Sequence, residues 1–185
     1  MPSPLGHSLM GYIIHRATAS PAEEQQWQRI ALYVFAANAP DLDFILGLLT
    51  GDPDRYHHGI SHSIGFALLF AVVFSLFLAL RTQETTGRNF AIFFGLYSSH
   101  IALDYFSIDT SAPYGEPLFW PSSNEYYIAP FAFLPDIWRD SSSLTFVPSL
   151  FNLHNLWAVS VEFLILFPFI LLIAALRRPA RVSTE

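Results

Sequence analysis

Cysteine is absent from this chain of 185 residues. Without thiols there is neither a disulfide framework nor a thiolate metal site, so any metal must be held by His, Asp, Glu and water. Lysine is absent too, and all nine basic residues are arginine. Only 13% of residues are charged, against roughly 25% in an ordinary soluble domain. The net charge of −6 offers no basic face, so nucleic acid is not expected as a partner. Internal repeats and low-complexity segments are missing. So is a basic leader, and Gly6, His7 and Gly11 interrupt the first apolar stretch, so no cleavable signal peptide is expected.

What is abundant is apolar. Hydrophobic residues make up 52% of the chain, 18 of them Phe, and the mean hydropathy is +0.38. Apolar runs and their breakers predict five helices: Leu5 to Arg16, Ala22 to Ala39 stopping at Pro40, Ile64 to Leu80, Phe90 to Phe106, and Leu156 to Leu176. The last is long enough to cross about 30 Å of hydrocarbon, and the third is near the minimum. The expected architecture is all-α: one membrane-embedded antiparallel bundle over 1–185, of about five helices with three to four spanning. Residues 107–153 form a long aromatic-rich loop or lid, a length that usually carries function or small elements of its own.

If the helices alternate in direction, Arg16, Arg29, Arg81, Arg88, Arg177, Arg178 and Arg181 share one face. Arg55 and Arg139 fall on the other. The arginine-rich face is then cytoplasmic, and the chain is expected to be multi-pass in a bacterial inner membrane.

The opposite, extracytoplasmic face collects six of the seven histidines, with Asp41, Asp43, Asp104 and Glu162. His7 opens the first helix, Asp41 and Asp43 of "APDLD" follow the second, and His57, His58 and His62 of "YHHGISHS" precede the third. His100 and Asp104 lie one turn apart near the end of the fourth. His154 and Glu162 stand at the start of the fifth as additional candidates. His15 falls on the other face. Singly these groups have ordinary readings: a Pro-Asp turn, a structural His–Asp pair, a wet loop, Ser61 and Ser63 as helix caps. Those readings give no reason for the shared face. Ionisable groups at membrane depth are costly unless they pair, line a polar cavity or bind an ion. Imidazole with carboxylate suits a divalent metal: zinc, or manganese or iron. The number of candidates exceeds one tetrahedral site and suggests two ions. Spacing leaves open whether His57 or His58 joins His62.

The order His7, "PDLD", "HHGISHS", "SHIALDYF", "YGEPLFWP" resembles the YdjM-type family of bacterial inner-membrane proteins regarded as metal-dependent hydrolases. The resemblance covers residues 5 to 121. It implies His7, Asp41, Asp43, His57, His62, His100 and Asp104 as metal ligands, and it favours His57 over His58. His58 stands where the family usually has Arg, a stronger and pH-independent phosphate grip.

The resemblance implies hydrolysis by a metal-activated water, with Asp43 or Asp104 accepting its proton and His58 donating to developing charge. A site at the membrane surface points to a membrane lipid or lipid-linked phosphoester. Trp120, Tyr126, Tyr127, Phe131, Phe133 and Trp138 are placed in the headgroup zone, as an entry or an ordinary aromatic belt. The rival readings are a structural metal cluster without catalysis, and a transporter.

Overall fold

The computed structural model describes all residues except 21, 83, 84, 111 and 178–185. Arg178 and Arg181 therefore lie outside the described residues, as does Pro21. The described chain is helical with two isolated β-bridges, Ser107 with Leu134 and Glu116 with Tyr127. Helix α1 spans Pro4–Thr18, α2 Trp27–Asn38, α3 Asp43–Thr50, α4 Ile64–Ala79, α5 Thr86–Tyr105, α6 Phe146–Ser149 and α7 Leu153–Leu176.

Local chemistry sets the ends. Ser3 caps α1 by accepting from the Gly6 amide, with Pro4 beside it in the first turn. Ser63 caps α4 through the Phe66 amide, a contribution of about 1 kcal/mol. Asn152 caps α7, so that helix begins at Leu153 and includes His154. Helix α5 begins four residues before the apolar run, because Thr86, Gly87, Arg88 and Asn89 add a polar first turn.

Pro40 does not end the second helical stretch. It sits early in a 3-10 turn, Ala39–Leu42, where a missing N–H costs little. The chain then continues as α3, an element that the apolar pattern does not announce. Gly51, at φ +88°, stops it.

Long-range contacts fix the directions. Asn38 at the end of α2 donates to Ser8 in α1, and Arg88 at the start of α5 donates to the carbonyl of Thr18 at the end of α1. Glu162 meets Ser3 and Arg177 meets Ala19, so α7 runs alongside α1 in the same sense. Tyr97 donates to the Ser61 carbonyl just before α4. The starts of α1, α4 and α7 therefore lie with the ends of α2 and α5. The core between them holds Tyr33, Ala36, Ala37, Ala71, Phe93 and Leu96.

Among the described residues two stretches are long and apolar enough to cross a membrane, Trp27–Thr50 and Leu153–Leu176, while Ile64–Ala79 is apolar but shorter. Only 11% of an 18-residue apolar window within Leu153–Leu176 is buried, leaving Leu164, Leu171 and Leu172 outward. An apolar face that continuous suits lipid, not water.

The segment 107–153 is tied down. Arg139 and Ser141 bind Asp54, and Ser143 binds the Leu48 carbonyl. Asn155 holds Trp138 by both its amide and its carbonyl.

Candidate metal centre

Five segments deliver side chains to one buried cluster. These are the first turn of α1 (His7), the 3-10 turn and its exit (Asp41, Asp43), the loop before α4 (His57, His58, His62), the last turns of α5 (His100, Asp104), and the long loop (Glu116). His7, His62 and His100 have no measurable exposure, and Asp104 and Glu116 almost none.

At its centre, His62 Nε2 and His100 Nε2 are 3.3 Å apart. Asp104 Oδ2 lies 3.0 Å from the second and 3.5 Å from the first. Asp41 Oδ1 lies 3.5 and 3.7 Å from the same two nitrogens. A tetrahedral ion with bonds of about 2.0–2.1 Å spaces its ligand atoms about 3.3–3.4 Å apart.

The remaining nitrogens fix the tautomers. His100 Nδ1 is 2.8 Å from the Ala37 carbonyl, which can only accept, so Nδ1 carries the proton and Nε2 the lone pair. His62 Nδ1 faces Ser61 Oγ at 3.1 Å and Asp43 Oδ2 at 3.3 Å, and Ser61 donates to that same Oδ2. The two Nε2 lone pairs of neutral rings thus oppose each other and require a cation or a proton between them. Burial opposes charge on His62, yet Glu116, Asp41 and Asp43 outweigh it and hold its pKa well above the ordinary histidine value. The field favours positive charge here.

His57 sits beside this centre. Its Nδ1 is 3.3 Å from Asp43 Oδ1, leaving Nε2 without a hydrogen-bond partner. Burial outweighs Asp43 and lowers its pKa, keeping the ring neutral. His57, His62 and Asp41 bring ligand atoms within 4.8 Å of one another, as do His7, Asp41 and His100, and His62, His100 and Asp104. His7 stacks on His100 at 3.7 Å between centroids and approaches Asp104 at 3.4 Å. Neither ring nitrogen of His7 and neither oxygen of Asp41 or Asp104 has a hydrogen-bond partner. So many buried polar atoms without hydrogen bonds in one cluster are what an ion would satisfy. The donor set, imidazole and carboxylate, fits zinc.

Several expectations change. Asp43 faces the outer nitrogens of His57 and His62 with its two oxygens, which contribute to none of the groups able to share an ion. Ser61 is not a cap but part of that same relay. His58 and His62 are not a helical pair. His58 occupies a left-handed turn at φ +56°, and helical structure starts only at Ile60. Its Nε2 points at Glu116, 3.4 Å away.

His154 and Glu162 do not join the cluster. His154 is bound to Asp136 at 3.1 Å and stacked on Trp138, because α7 begins early enough to carry it toward the loop. Glu162 accepts from the Ser3 amide at 2.7 Å and from its hydroxyl, fastening α7 to the start of α1. His15 bonds the Glu24 carbonyl at the far end.

Glu116 was not among the expected ligands. It lies in "YGEPLFWP", where no periodicity marks it, and its only signal is an acid inside an aromatic loop.

Beside the cluster opens a cavity of about 610 Å³, its polar wall made by Asp43, His57 and Ser61 and its apolar wall by Leu42, Leu46, Phe66 and Phe70. Arg55 also lines it, its guanidinium over the Tyr56 ring.

The family described as YdjM inner membrane protein matches residues 1–181. No curated protein and no solved structure matches the chain significantly.

Proposed function

This chain belongs to the YdjM inner membrane protein family, and from that premise we propose that it is a metal-dependent hydrolase acting on a phosphoester of a membrane lipid or lipid-linked molecule. The observation that carries the reading is the opposed pair His62 Nε2 and His100 Nε2, 3.3 Å apart, with Asp104 and Asp41 closing the polyhedron. His7, Asp41, His57, His62, His100 and Asp104 hold one or two divalent ions, zinc by donor type. When bound, such an ion supplies acidified water and positive charge for a phosphoryl oxygen.

The chain's own residues do the rest. Asp43 lines the cavity and holds His57 and His62 by their outer nitrogens, and its carboxylate is the proton acceptor nearest that wall. Arg55 offers a permanent cation to a phosphate, and Leu42, Leu46, Phe66 and Phe70 take the apolar part of an amphiphile. Three or four helices span, the long loop covers the site, and the site opens on the extracytoplasmic side.

The test is purification in detergent, metal analysis, and a panel of phosphodiesters and lipid phosphoesters. The purified protein should carry zinc and hydrolyse at least one substrate. Chelation should abolish this and zinc restore it, and His100→Ala should lose both metal and activity. Metal without hydrolysis of any member would leave a structural cluster.

A second reading has one observation in its favour. Asp41 lies in a 3-10 interruption of the apolar stretch Trp27–Thr50, and transporters bind ions at broken helices. Zinc uptake into proteoliposomes without hydrolysis would select it.

A further inference from the structure

We propose that His58, Asp104 and Glu116 form a further divalent-cation site, joined to the centre above through Asp104. The proposal rests on that centre being a metal site, and the experiment below separates the two. Ligand atoms of the three residues lie within 4.8 Å of one another, and His58 Nε2 is 3.4 Å from Glu116 Oε1. All three are buried, at 4%, 4% and 1% exposure. His58 Nε2, Glu116 Oε2 and both Asp104 oxygens have no hydrogen-bond partner. Among the described residues no arginine pairs with either carboxylate. Two carboxylates and an imidazole, buried and with these atoms lacking hydrogen bonds, are costly together unless a cation sits between them.

The backbone is shaped to hold them there. His58 stands in the left-handed region at φ +56°, which His adopts more readily than most non-glycine residues. Its Nδ1 lies 3.9 Å from Asp109 Oδ2, and that oxygen accepts from the Gly115 amide. With Asp109 on the Nδ1 side, Nε2 faces Glu116. Gly115 has φ +86°, and a Cβ on it would meet the Tyr127 carbonyl at 2.6 Å. Only glycine fits. Glu116 then exchanges both backbone hydrogen bonds with Tyr127, at 3.0 and 2.9 Å, so its side chain enters the cluster from a fixed rung. Asp104 has two oxygens and can bridge ions about 3.5–4 Å apart.

The direct test is metal stoichiometry per folded chain, read by elemental analysis after purification with zinc. Glu116→Gln keeps shape and removes the anion, and His58→Ala removes the nitrogen. Each should lower the zinc content by about one ion per chain and keep the remainder. His58→Arg should do the same, because its guanidinium supplies in place the charge that the ion would bring. His100→Ala should instead deplete the main centre. Should Glu116→Gln fail to fold, zinc titration of chelated wild-type protein decides. Filling in separable steps is expected, and one uniform step overturns the proposal. Wild-type stoichiometry in both Glu116→Gln and His58→Ala overturns it and leaves the main centre standing. Wild-type protein that binds no zinc overturns both.

Discussion

Asp43 divides its oxygens between two imidazoles, Oδ1 facing His57 Nδ1 and Oδ2 facing His62 Nδ1, each at 3.3 Å. Outer partners of this kind set the tautomer and aim the inner nitrogen, and losing one usually lowers metal affinity about 10- to 100-fold. Asp43→Ala should therefore weaken zinc binding by roughly that factor without abolishing it, whereas Asp41→Ala should cost an ion outright. A chelator competition series on the two variants checks the order, and equal losses would make Asp43 a ligand. In the sequence Asp41 and Asp43 look interchangeable. Their roles part because the 3-10 turn points them at different nitrogens. His57 and His58 divide as well: their rings stay 4.2 Å apart, yet His57 Nδ1 faces Asp43 and His58 Nε2 faces Glu116. The histidines themselves were legible, since burying so many imidazoles at one end of a bundle has few explanations. Glu116 was not, because its position depends on the pairing with Tyr127, and a bridge between loop residues leaves no periodic trace.

At the scale of elements, helix-end logic placed groups at the right height but not at the right azimuth. His154 and Glu162 stand at the site end of α7 as their positions suggested, yet each turns to a structural partner. Helix α3 escaped notice because its eight residues after a Pro-Asp turn carry too little pattern. It nonetheless supplies Leu46 to the cavity and binds the loop through the Leu48 carbonyl. The seat of α1 against α7 is more demanding. A Cβ on Gly6 would lie 2.6 Å from Glu162 Oε2, and that carboxylate cannot retreat without leaving Ser3. Gly6→Ala should destabilise by about 1–3 kcal/mol, the usual cost of overpacking. Because His7 is the next residue, the variant should also bind zinc more weakly. Thermal unfolding in detergent with parallel metal analysis would show both. Unchanged stability would mean that α1 can shift freely, and that the contact does not set the height of His7.

For the whole molecule, the decisive question is which side of the membrane the cluster faces. Arg88 binds Glu23 and the Thr18 carbonyl, and Arg177 binds the carbonyls of Arg16 and Ala19. The ends of α1 and α7 and the start of α5 thus form one arginine-rich end, away from His7, His100 and Asp104. Arg29 joins it through Glu23. At the site end Arg139 is engaged with Asp54, and Arg55 lines the cavity. Arginine in short connections favours the cytoplasmic side, and the proposed orientation therefore turns the cluster end outward. Reporter fusions after Arg88 and at the C-terminus should give cytoplasmic signals, and a fusion at Ser142, in the loop that covers the site, an external one. The orientation also bears on substrate, since an outward site meets lipids of the outer leaflet and extracytoplasmic metal. A membrane-impermeant chelator added to spheroplasts should then strip the zinc from wild-type protein. A cytoplasmic signal at Ser142, with zinc that resists the chelator, would turn the site inward and move its substrate to the inner leaflet.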